Sequence, residues 1–119
     1  MKPIQTPHLP VYFGGSSEAA IEVAGKHADV YALWGETHAQ VRETIARVRA
    51  AAARYGREHH VRFSLSFRPI LAETEDRAWA RAEALLERIK VVRAAKGLGA
   101  AAPPSNEGAR RLLVAAAQG

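Results

Sequence analysis

Three short β-prone runs, each closed by a breaker and each followed by a helical pattern, leave this 119-residue chain few folds to choose from. Val11–Phe13 ends at Gly14-Gly15. Ala28–Trp34 has no polar alternation after Asp29 and ends at Gly35. A run of that kind fits a strand buried on both faces, as parallel strands are. Val61–Phe67 alternates at period two, and Pro69 cannot donate to a central ladder, so this strand ends near Arg68. Helical spacing intervenes each time. Ser17 to about His27 carries Ala20, Ile21, Val23 and Ala24, with Gly25 as a stop signal. Thr37-x-x-Gln40 matches a capping box ahead of Val41, Ile45, Val48 and Ala52, and that helix stops at Tyr55-Gly56. Thr74 caps a longer helix, with Glu75 and Asp76 in its first turn. Its apolar stripe is Trp79, Ala82, Leu85, Leu86, Ile89 and Val92, expected to be core packing.

The units read as βα 10–27, 28–56 and 61–96, a Gly/Ala/Pro loop 97–106 and a final helix 107–118 around Arg110–Ala117. Residues 1–9, with Pro3 and Pro7 and followed by Pro10, form an extended lead-in. Repeated βα units make a parallel sheet with right-handed crossovers. Three strands leave two open edges and one poorly covered face, so the sheet is expected to be part of something larger. The length suits one modest domain over 1–119.

Charge and composition narrow the function classes. The formal net charge of +5 invites a nucleic-acid reading. The arginines argue against it, because Arg42, Arg47, Arg49, Arg54, Arg77, Arg81, Arg88 and Arg93 are scattered through helical segments shared with Glu43, Glu73, Glu83 and Glu87. No aromatic ladder or helix-turn-helix pattern supports nucleic acid as a partner. No apolar run is long enough to span a membrane, and residues 1–15 lack the h-region of a secretory signal. There is no cysteine, hence no disulfide and no thiolate ligand or nucleophile, and a reducing cytoplasm is the expected setting. His59-His60 precedes a strand, where neighbouring side chains point to opposite faces, so no metal site is expected there.

The stretch Pro10-Val-Tyr-Phe-Gly-Gly-Ser-Ser-Glu-Ala-Ala20 carries the most chemistry. A strand runs into a Gly-Gly turn, and two hydroxyl residues open a helix. Gly15, Ser16 and Ser17 thus form a seat for a phosphate, with backbone N–H groups and the positive end of the helix facing it. The other reading is a tight βα turn in which Ser17 is an ordinary N-cap.

PVYFGGSSEAA, ADVYALWGE and RFSLSFRPILAETEDRAWARAEALLERI, taken together, resemble the bacterial-luciferase-like flavin-dependent monooxygenases. The branch most similar is that of the two-component alkanesulfonate monooxygenases. The likeness runs over residues 7–92 in family order, and NEGARRLLVAAAQG is similar to a helix that follows in some members. The resemblance implies an α/β fold that is part of a (β/α)8 TIM barrel, about three parallel βα units plus a C-terminal helix. Such barrels need roughly 250 residues, so it also implies a fragment of an enzyme that is inactive by itself.

It implies further that reduced FMN (FMNH2) is the cofactor, with its phosphate at Gly15, Ser16 and Ser17. The partners implied are O2, a small organic substrate with sulfonates among the candidates, and a flavin reductase, with a homo-oligomer as the assembly. Trp34 lines the flavin or substrate pocket, or else is a core tryptophan; Glu36 is a loop acid or a plain pre-helix charge. Ser66 and Arg68 stand where the sulfonate branch usually carries an arginine and a histidine, so the histidine's general-base role does not transfer. Arg68 keeps a positive charge for an anionic substrate. The catalytic residues stay unassigned. The competing expectation is a non-catalytic α/β module that dimerises through its open strand edges.

Overall fold

In the computed structural model, residues 4–6, 8–97 and 104–118 are described. Pro3 and Pro7 of the lead-in, and most of the 97–106 loop, lie outside them. The apolar runs become β1 (Tyr12–Phe13), β2 (Val30–Leu33) and β3 (Arg62–Leu65). The helices are α1 (Glu18–His27), α2 (His38–Ala53), α3 (Glu75–Ala95) and α4 (Glu107–Gln118). The strands form one parallel sheet in the order β1-β2-β3, as expected for part of a (β/α)8 barrel. Each strand is shorter than its apolar run.

The residues divide into two compact units, one within Met1–Phe67 and Ser105–Gly119, the other within Arg68–Pro104. The division falls next to Pro69, where the ladder loses its donor.

In the first unit the register pairs Phe13 with Tyr31 and Tyr31 with Phe63, so these three rings share one face of the sheet. Tyr31 and Phe63 meet edge-on at 6.3 Å between centroids. Against that face pack Ile21, Ala24, Val48, Ala51 and Ala52, with Ala28, Leu33 and Val61 completing the buried cluster. β2 is the central strand, and Val30, Tyr31 and Leu33 are all buried.

Small residues let α1 and α2 approach closely. Gly25 is not the stop signal the sequence suggests. It lies inside α1, buried, and a Cβ there would sit 2.7 Å from the backbone of Ala51 and Ala52. The helix ends instead at Ala28, and Arg57 from beyond α2 donates to the carbonyls of Gly25 and Ala28, both at 3.2 Å. Asp29 ties the unit's N-terminal edge together. Its carboxylate accepts from Val11 N at 2.8 Å and faces His8 at 2.9 Å and Arg57 at 3.4 Å. The capping box of α2 forms as read: Thr37 Oγ1 accepts from Gln40 N, and Gln40 Oε1 accepts from Thr37 N.

In the second unit, Thr74 caps α3 through Arg77 N, and Arg77 pairs with Glu73 at 2.8 Å. The apolar stripe does not become core. No residue of α3 is buried, and Trp79 is 62% exposed with its indole N–H directed at Glu75. Among the described residues of this unit, segment 69–71 with Arg81, Ala84, Leu85 and Arg88 bounds a shallow cavity of about 380 Å³.

Candidate functional site

A cavity of about 440 Å³ opens at the C-terminal end of the sheet in the first unit, within the size range of small-ligand sites. Its walls come from the β1–α1 turn (Gly14–Ser17), from β2 and its exit (Tyr31–Trp34, Glu36), from Thr44 of α2, and from Asn106–Ala109 at the start of α4. The C-terminal ends of parallel strands are where βα loops assemble binding sites.

Gly15 shapes the corner. Its φ of +158° and its closeness to α1 both exclude a side chain, since a Cβ would lie 2.8 Å from Ala20 Cβ. The Tyr31 hydroxyl donates to the Gly15 carbonyl and so pins the turn to the buried strand. Burial pushes the Tyr31 phenol above its ordinary pKa, so it stays a protonated donor. Ser17 is the N-cap of α1, its Oγ accepting from Ala20 N at 3.2 Å. The capping geometry expected of an ordinary turn is therefore present, and the cavity opens beside it. The N–H groups of Glu18 and Ala19 fall in the first turn, where no intrahelical acceptor exists. The half-buried Ser16 adds a hydroxyl, and that hydroxyl lies 3.6 Å from where a Cβ on Gly108 would stand.

The structure brings together four of the six site residues read from the sequence. Gly15, Ser16, Ser17 and Trp34 line the one cavity. Trp34 is 62% exposed on that wall. Ser66 follows β3, donates its N–H to Leu33 O at 3.2 Å, is exposed, and does not line this cavity. Arg68 is in the second unit.

The sequence did not single out the ion-paired carboxylate of the site. Glu36 is no plain pre-helix charge, since its side chain is only 7% exposed. Arg111 of α4, itself 11% exposed, reaches it through Nη2 at 2.9 Å and through Nε at 3.2 Å to both carboxylate oxygens. The same guanidinium donates to Gln40 O at 3.2 Å and Thr44 Oγ1 at 3.1 Å, and stands 3.4 Å from Glu43. Its hydrogen bonds to Glu36 hold Arg111 above the usual guanidinium range. Seventy-five residues separate the partners. Only the Arg fork, matched to a carboxylate after folding, reveals the pair. Asn106 opens α4 by accepting from Ala109 N at 2.8 Å, so two helix starts face the cavity.

Chemically, the cavity offers anion-binding donors at one corner, an aromatic wall, and a carboxylate already neutralised by its own guanidinium. Among the described residues, no group of three or more His, Asp and Glu is placed to hold a metal ion. Nor, among the described residues, is any helix long and apolar enough to cross a membrane. A family model described as luciferase-like monooxygenase matches residues 1–119. With the parallel βα order and the cavity at the strands' C-terminal ends, that match means the chain belongs to the luciferase-like monooxygenase family.

Proposed function

We propose that this chain supplies the phosphate-gripping part of an FMNH2-dependent monooxygenase that oxidises a small organic substrate with O2. The observation that carries the reading is the corner at Gly15–Ser17 opening onto a cavity walled by Trp34. The residues fit the group. A phosphate needs N–H and hydroxyl donors without steric cover, and the glycine turn, Ser16 and the start of α1 provide them. When bound, reduced FMN supplies the electrons that activate O2. The chain's residues do the binding: Ser16, Ser17 and the first N–H groups of α1 hold the phosphate, and Trp34 offers an aromatic face that excludes water beside it. Ser66 and Arg68 are proposed as substrate contacts, Arg68 by its charge toward an anionic, sulfonate-type group. A flavin reductase as source of FMNH2, and a reducing cytoplasm as the setting, complete the reading.

A closed eight-stranded barrel encloses its chamber, whereas this sheet has β1 and β3 as edges. Weak FMN binding without turnover is therefore expected of these 119 residues. Titration with FMN and with riboflavin, followed by Trp34 quenching in a Trp79→Phe background, tests the seat. FMN should bind more tightly than riboflavin, and Ser16→Ala should remove part of that margin. Equal affinities would end the phosphate assignment, and turnover by this chain alone would end the fragment reading.

A second reading draws on the sheet edges. Tyr12 on β1 is 66% exposed and Leu65 on β3 is 36% exposed, so a copy of the chain could pair along either edge. A discrete dimer by light scattering, with no flavin affinity, would favour that module.

A further inference from the structure

The cavity contains a contradiction that the phosphate reading must resolve. Glu36 puts a carboxylate, nearly sealed from water, on the wall of a site meant for a dianion. Glu107 puts a second carboxylate on the same wall, paired with Arg110 at 2.8 Å. In a partly desolvated cavity an unneutralised carboxylate repels a phosphate far more strongly than it would in water.

We propose that Arg111 is the charge-balancing and positioning residue of the anion seat, cancelling Glu36 and holding the first turn of α4 against Ser16; the proposal rests on the phosphate reading above.

Three observations support it. First, the Arg111 fork engages both oxygens of Glu36, so it satisfies the carboxylate that faces the cavity rather than a remote one. Second, Arg111 is three residues beyond Gly108, and residues three apart share a helix face. The same face therefore reaches both the Glu36 pair and Ser16, whose Oγ is 3.6 Å from a Gly108 Cβ position. Third, Arg111 is fixed from two elements, by Gln40 O and Thr44 Oγ1 of α2 as well as by the β2 exit. Gln40 returns a bond, its Nε2 donating to Arg111 O at 3.3 Å. A guanidinium held on several sides has no freedom to leave Glu36 for bulk water. Arg111 does not itself line the cavity, so it acts through Glu36 and α4.

The experiment compares dissociation constants for FMN and riboflavin in the wild-type chain, Glu36→Gln, Arg111→Met and the double variant. Hydrogen exchange over residues 108–113 is read in parallel. Arg111→Met should lose tenfold or more of FMN affinity while riboflavin changes little, and α4 amides should exchange faster. Glu36→Gln keeps the hydrogen-bonding shape but removes the charge, so FMN should bind several-fold tighter with riboflavin unchanged. The double variant should regain most of the FMN margin lost by Arg111→Met. Should Arg111→Met fail to fold, Glu36→Gln alone decides, because a purely structural pair would not shift the FMN-to-riboflavin ratio. A ratio unmoved by Glu36→Gln overturns the role of Arg111. A wild-type chain without any preference for FMN overturns the phosphate seat itself, a different and separable result.

Discussion

At the scale of single residues, two glycines and one aspartate carry most of the constraint. Gly25→Ala would drive a methyl into the Ala51–Ala52 backbone at 2.7 Å, where no flexible side-chain end can yield. Overpacking of this kind costs about 1–3 kcal/mol, and the loss should appear as a lower thermal midpoint with the far-ultraviolet spectrum retained. Gly15→Ala is expected to be similarly destabilising and also to close the corner, so it should abolish any preference for FMN over riboflavin. Asp29 gives the pH dependence. The Val11 N–H first, and His8 next, hold its carboxyl below the ordinary carboxylate range. A depressed folded value means the unfolded chain takes up the proton more readily. The contribution is thus full above the unfolded pKa of about 3.9 and is lost as pH falls through the lower folded value. Asp29→Asn should flatten the acid limb of a stability-versus-pH curve, and an unchanged limb would remove Asp29 from the account.

At the scale of elements, local signals were legible wherever the partner lies within a few residues. The Thr37–Gln40 box and the Ser17 and Thr74 caps form as their spacing requires, because the cap oxygen and its N–H donor are three positions apart. Thr37→Ala should cost about 1 kcal/mol and fray the first turn of α2, visible as faster exchange at Val41. Two elements depart from their sequence signals. Gly25 has the composition of a stop, but the close approach of α2 uses its missing side chain inside the helix. The α3 stripe has helical periodicity, yet no residue of α3 is buried and its large apolar side chains are exposed. Periodicity states which face is apolar; it does not state that a partner is present.

At the scale of the whole molecule, a three-stranded parallel sheet with two edges is the governing fact. Exposed edges present unpaired backbone groups that favour association. Leu65→Lys, which charges the β3 edge, should reduce self-association in size-exclusion chromatography with light scattering if association proceeds through that edge. The Arg111–Glu36 pair is the long-range tie of the first unit. Removing one partner of a nearly buried pair strands the other charge, at about 3–5 kcal/mol. Arg111→Met should therefore lower the melting midpoint more than Arg110→Met, whose side chain is half-exposed beside Glu107.

The amino-acid order by itself determined the alternation of strand and helix, the parallel sheet, the glycine-serine corner and the family likeness, because each rests on local periodicity, breakers and caps. Only the tertiary structure decided that Trp34 faces a cavity, that Glu36 is sealed from water, and that the start of α4 closes on Ser16. Those facts depend on which distant side chains meet once the helices dock. A guanidinium and a carboxylate seventy-five residues apart leave no pattern in sequence until folding excludes the water between them.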